Sequence, residues 1–462
     1  MSFPMYPEYK YSDAEWLGKV PNNWTVAAIK WLSPVLRGAS PRPIDDPIYF
    51  DDDGEYGWVR ISDVTASKDG YLKGTTQKLS AIGSSLSVKL EPGKLFLSIA
   101  GSVGKPCITK IQACIHDGFV YFPLLNIDQR FLYRIFELGS CFGGLGKMGT
   151  QLNLNTDTVG GILIAIPPIE DLTKILQFLD HETAKIDTLI HEQKRLIELL
   201  REKRQAVISQ AVTKGLDPDV PMKDSGVEWL GDVPEHWTVG KLRWYATVQG
   251  GIAKGKDYAD TKTITLPYLR VANVQAGYLD LSEVKEIAVL ESEIERYSLT
   301  SGDVLMNEGG DNDKLGRGAV WKGQITPCLH QNHVFAIRPN QHVSPEWLAM
   351  FTQSNRARSY FFLNSRQSTN LASISSSNVM NLDLPIPSPT EQVEILVFLE
   401  VEVLRFSELQ LQAEKAVGLL QERRSALISA AVTGKIDVRN WQPYADESAF
   451  GKVTRDRQEA TI

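Results

Sequence analysis

The chain has 462 residues, 43% of them hydrophobic and 23% charged, with a formal net charge of −7. At ~100–200 residues per domain this is room for two to four domains, each with its own core. No run of ~18 apolar residues marks a membrane span, and the N-terminus lacks the basic-then-apolar pattern of a secretory leader. Four cysteines with no CxxC pair argue against a disulfide framework or a zinc ribbon, so a reduced, cytoplasmic setting is expected. The acidic total counts mildly against a nucleic-acid partner, although the placement of charge decides that question.

The chain opens on Glu15-Trp-Leu-Gly-Lys-Val-Pro-Asn-Asn-Trp24. Short β-like runs follow, such as Trp58-Val-Arg-Ile-Ser-Asp-Val64 and Lys94-Leu-Phe-Leu-Ser-Ile99, separated by turns such as Ala100-Gly-Ser-Val-Gly104. Residues 1–165 are expected to form a compact α+β domain with a strongly bent sheet. Residues 166–217 are different: Pro167 and Pro168 stand at the start, where a missing N–H costs least, and no proline follows to Thr213. Leu172, Leu176, Leu179, Ile186, Ile190, Ile197, Leu200 and Val207 recur as a heptad seam. A helix of ~45 residues would be ~65 Å long. Its other faces are charged, as at Glu192–Arg195 and Arg201–Arg204, so the seam needs a partner.

The plan then repeats. Glu228-Trp-Leu-Gly-Asp-Val-Pro-Glu-His-Trp237 restates the opening, and Tyr268-Leu-Arg-Val-Ala-Asn-Val274 echoes the run at Trp58. Cys328-Leu-His330 echoes Cys114-Ile-His116, and Arg366–Leu371 echoes Lys147–Leu152. Residues 218–385 are therefore a second domain of the same kind, and residues 386–437 a second long helix. Ile386–Asp437 aligns with Ile166–Asp217 without a gap, with roughly 19 of 52 positions identical. Its seam is Leu396, Leu399, Val403, Phe406, Val417, Leu420 and Leu427, with Gln392, Gln410 and Ala413 as softer positions that predict looser packing. The simplest way to bury two seams is against each other. The sequence does not fix their direction, but an antiparallel pair would carry the domains at opposite ends. Residues 438–462 are polar and are expected to be a loosely held tail.

This ordered duplication resembles the specificity subunits of type I restriction–modification systems, over nearly the whole chain. The resemblance is carried by Val20–Trp24 and Val233–Trp237, by the helix starts Ile166–Asp171 and Ile386–Glu391, and by the endings Arg204–Thr213 and Arg424–Thr433. It implies two target-recognition domains separated by two long helices packed as an antiparallel coiled coil. It further implies that each domain reads one half of a bipartite site on double-stranded DNA. The helices would then dock two methyltransferase subunits and, through them, motor-nuclease subunits. S-adenosylmethionine, ATP and Mg would belong to those partners and no cofactor to this chain.

Phosphate contacts supply DNA affinity and side chains at base edges supply sequence choice. Polar loop residues after the β-like runs are the candidates. In the first domain these are Arg60, Ser62, Ser102, Lys105, Lys147, Gln151, Asn153 and Asn155. In the second they are Arg270, Asn273, Asn307, Asn312, Lys314, Arg317, Arg366, Gln367 and Asn370. Arginine can pair with guanine, and asparagine or glutamine with adenine. Each has a plainer alternative as a turn or surface residue. Recurrence of Arg60 as Arg270 favours a structural or backbone-contact role, since residues that read different bases should differ between copies. The run Asn355–Arg366 carries three arginines and no acid. Arg204 and Arg424 fall near the seam, where a charge needs a partner subunit, a carboxylate of the other helix, or a path to solvent.

The sequence carries no recognisable catalytic motif. There is no (Asn/Asp)-Pro-Pro-aromatic motif for adenine methylation, and Gly101-Ser-Val-Gly-Lys105 lacks the spacing of a phosphate-binding loop. His330 and His333 have no Cys or His cluster beside them, so no metal site is expected. The expectation is a chain with no catalytic residues. A self-contained enzyme, or a scaffold that does not read DNA, are the competing classes.

Overall fold

The computed structural model describes residues 3–67, 69–145, 154–255, 262–310, 315–316, 318–367 and 372–443. Two compact units emerge, Met1–Glu192 with Ala416–Ile462, and Gln193–Lys415. Each contains one mixed α and β domain and part of each long helix.

In the first unit, Leu95–Ser98 is buried at every residue, as a strand covered on both faces must be. It sits at the centre of a five-stranded sheet, between Phe119–Tyr121 and Pro106–Thr109. Leu36–Arg37 and Tyr71–Leu72 form the edges. A second sheet has four strands, in which Tyr56–Val59 runs parallel to Ala113–Ile115. Gly38 is pressed so close to this layer that a Cβ there would stand 2.2 Å from the carbonyl oxygen of His116.

The second unit repeats these devices. Val304–Asn307 is buried throughout, between Val334–Pro339 and Gly318–Val320. Ile264–Leu269 runs parallel to Leu329–His330. A Cβ on Gly251 would stand 2.2 Å from the carbonyl oxygen of His330. Each domain is closed at its base by one antiparallel pair, Thr25–Ala28 with Leu163–Ile166 in the first and Thr238–Lys241 with Asp383–Ile386 in the second.

The long helices span Ile169–Lys214 and Pro389–Val432. Glycines in the left-handed region follow both, Gly215 at φ +76° and Gly434 at φ +69°, which is how helices commonly end. In the first unit Leu172, Ile175, Leu176 and Leu179 share a core with Leu17, Val20, Trp24, Ile428, Ala431 and Val432. In the second, Ile208, Ala211 and Val212 share one with Val233, Trp237, Ile395 and Leu399. Asp187 meets Arg424 at 2.8 Å, and Arg201 meets Glu414 at 3.8 Å. Numbers rise on one helix as they fall on the other, so the pair is an antiparallel coiled coil.

Two local expectations change. Gln392 is not a soft seam position: it is 2% exposed, accepts from Ser344 N at 3.0 Å and donates to His342 O at 2.9 Å. It ties the start of the second helix to the second domain. Residues 438–443 are not loosely held either. Val438 is buried, and Trp441 packs edge-on against Phe178 at 5.4 Å. Residues 444–462 lie outside the described residues.

Candidate nucleic-acid interface

The short helix Ile61–Ala66 gathers the first domain's candidates. Arg60 is its exposed N-cap residue, and its backbone N–H donates to Asp63 Oδ2 at 2.8 Å. Thr65, one turn on, lies 3.2 Å from Ser102 Oγ, and its carbonyl accepts from Lys105 Nζ at 3.1 Å. The turn carrying Gly101, at φ +64°, rests on Ile61. Ser102 and Lys105 thus meet at Thr65, on the short helix that Arg60 caps and that carries the exposed Ser62. Asn155 serves a different purpose: Oδ1 accepts from Thr158 N at 2.9 Å, capping the helix Thr156–Gly161. Lys147, Gln151 and Asn153 lie outside the described residues.

In the second domain the same local frame holds other groups. The Arg270 N–H donates to Asn273 Oδ1 at 2.8 Å, matching Arg60 and Asp63. Asn273 is 3% exposed and its amide donates to Asp280 O and Glu283 O. Asn307 is 2% exposed and donates to Val274 O at 3.1 Å. Burial and internal bonding keep both asparagines from reaching a base. Arg270 is half-buried, with Nη2 3.9 Å from Glu283. Arg366 and Gln367 are exposed on a strand paired with Ala372–Ser373, which in turn pairs with Gly309–Gly310. Asn312, Lys314, Arg317 and Asn370 lie outside the described residues.

Three features lie outside the predicted residues. Thr65 organises the first edge. Beside the second, Glu308 and the partly exposed His333 form a 2.6 Å pair. The second long helix also shows solvent an apolar row away from its seam: Val393, Val397, Val401 and Leu404, each more than half exposed. Their i, i+4, i+8 and i+11 spacing is visible in the sequence, and it places them on one helical face.

Arg424 is half-buried and donates to Asp187 Oδ1 at 2.8 Å and Glu137 Oε1 at 3.0 Å. These carboxylates hold its charge despite burial. Arg204 is also half-buried, but its Nε is enclosed with no hydrogen-bond partner. Burial alone lowers its pKa from the usual arginine value.

Among the described residues, no three His, Cys, Asp or Glu side chains are grouped to hold a metal. Nor is any helix there long and apolar enough to cross a membrane.

Residues 21–199 match the family model of the type I restriction modification DNA specificity domain. The type I restriction enzyme EcoKI specificity subunit of Escherichia coli is 22% identical over 91% of this chain and 90% of its own length. The MjaVIII specificity subunit of Methanocaldococcus jannaschii is 22% identical over 94% of this chain and 98% of its own length. A chain from a solved structure of the type I R-M system superposes over 90% of this one with a TM-score of 0.68, at 15% identity.

Proposed function

We infer the function of this chain from its membership in the specificity-subunit family of type I restriction–modification systems: it is the non-catalytic subunit that selects the DNA sequence. Each domain reads one half of a bipartite target on double-stranded DNA. The paired helices dock two methyltransferase subunits and, through them, motor-nuclease subunits. The bound complex then methylates adenine at its site or cleaves unmodified DNA. S-adenosylmethionine, ATP and Mg belong to those partners.

One observation carries this reading. The two domains repeat their internal devices while their exposed edges diverge. The capped turns at Arg60 and Arg270, and the glycine contacts at Gly38 and Gly251, recur in kind. The surfaces beside them do not: Ser62 and Thr65 follow the first capped turn where Ala272 and Gln275 follow the second. A scaffold has no need of such divergence, whereas two readers of different half-sites require it. The apolar row on the second helix fits subunit docking.

Mapping methylated adenines in host DNA with and without this gene tests the reading. A two-part motif that disappears with the gene is the expected result; an unchanged methylation pattern overturns it.

A further inference from the structure

The two long helices carry the same arginine in their repeated ending, yet only one of the two is neutralised. In the first unit Arg424 is held by Glu137 and Asp187. The gapless helix alignment puts Ser407 where Asp187 stands. The helices Gln129–Leu138 and Pro345–Thr352 correspond through their buried residues, Phe131, Leu132, Ile135 and Phe136 matching Trp347, Leu348, Phe351 and Thr352. That match puts Gln353 where Glu137 stands. Both carboxylates around the arginine are thus replaced by neutral groups that are already engaged. Ser407 Oγ donates to Val403 O at 2.8 Å, and the Gln353 amide donates to Ala349 O at 3.2 Å.

Arg204, in the second unit, consequently lines an open cavity of about 530 Å³ with Arg201, Glu202, Arg358 and Gln410. Its buried Nε has no partner. Arg201 leans to Glu414 at a loose 3.8 Å, and Gln410 donates to the same carboxylate. Burial is the cause of the lowered Arg204 pKa. A half-buried guanidinium without a counter-charge is costly, and a carboxylate offered from outside would relieve that cost.

From the missing carboxylates and the open cavity, we infer that the Arg204 pocket receives an acidic side chain of a docked protein subunit, the external counterpart of Asp187 and Glu137. The inference rests on the reading that other subunits grip the paired helices. It adds an asymmetry: the seat is open in the second unit and closed from within in the first. A carboxylate is favoured over a nucleic-acid phosphate because the first unit fills the same position with carboxylates.

Three variants of the full chain, Arg204→Ala, Arg204→Lys and the double substitution Gln353→Glu with Ser407→Asp, test this. The double substitution restores the internal acids, so it should raise the Tm of the free chain and weaken capture of the methyltransferase subunits at least about tenfold. Arg204→Ala should weaken capture similarly, and Arg204→Lys partly, since a point charge loses the forked geometry. Sodium malonate should raise the Tm of the unsubstituted chain above sodium chloride at equal ionic strength and leave Arg204→Ala unmoved. Unchanged capture by the double variant overturns the inference. So does loss of DNA affinity in Arg204→Ala with capture intact, which would assign the pocket to phosphate. Failure here leaves the methylation map, and so the DNA-selecting role, untouched.

Discussion

The indole N–H of Trp237 donates to Glu391 Oε1 at 2.9 Å, while the equivalent pair in the first unit, Trp24 and Asp171, leaves both the indole N–H and Asp171 Oδ2 buried without a partner. The difference is one methylene group. Glu391 also lies 3.0 Å from His236 Nε2, so a single carboxylate fixes the domain's opening motif to the start of the second helix.

Asp171→Glu should therefore stabilise the first unit by ~1 kcal/mol, the typical net worth of one buried hydrogen bond. Glu391→Asp should cost the second unit ~1–2 kcal/mol by leaving an indole N–H unsatisfied. Urea unfolding of each variant gives the sign and the size.

Stability should fall on mild acidification. His330 is fully buried and His116 mostly so, and burial pushes both pKa values below the usual 6.5. Gly118 N donates to His116 Nδ1 at 2.9 Å, which requires a neutral nitrogen there. Below about pH 6.5 the unfolded chain takes up protons that the folded chain refuses. The stabilising contribution is thus complete above that pH and is lost as pH falls toward the folded values. Each histidine adds a slope of up to ~1.4 kcal/mol per pH unit. His330→Asn should flatten the dependence of the urea midpoint between pH 7.5 and 5.5, and an unaltered slope would count against it.

The two glycines that touch histidine carbonyls should be equally intolerant. A methyl group at Gly38 or Gly251 would stand at 2.2 Å from backbone that cannot yield. Alanine at either should cost ~1–3 kcal/mol or more through overpacking, read as a lowered Tm.

On DNA, the two exposed edges should behave independently. Lys105→Ala removes a charge at the Thr65 edge, so it should weaken binding across sequences and reduce the salt slope by about one. Arg366→Ala should cost ~1–3 kcal/mol and relax one position of one half-site only. Binding curves at several salt concentrations, with each half-site randomised in turn, separate the outcomes.

The duplication, the long helices and their seams were legible because spacing alone encodes them: an apolar side chain every three or four residues has few other readings. The polar candidates were not. Asn155, Asn273 and Asn307 have the chemistry of adenine readers, but the same amide caps a helix or holds a buried turn. Only the three-dimensional position of nearby backbone groups distinguishes these uses. Val393, Val397 and Val401 fell outside the heptad seam and so escaped notice, although their own spacing is regular. The contrast between Arg204 and Arg424 depends on Glu137 and Gln353, which precede their helices by too variable a distance for the sequence to pair them.

Tyr9 donates its hydroxyl proton to the carbonyl of Gly434 at 3.0 Å, across 425 positions of chain. Ile428, Ala431, Val432 and Val438 fill the same core as Leu17 and Trp24. During synthesis, then, the first head must wait, unfinished, until nearly the whole message has been translated. A chain cut short of Ile428 would leave that core open to proteases.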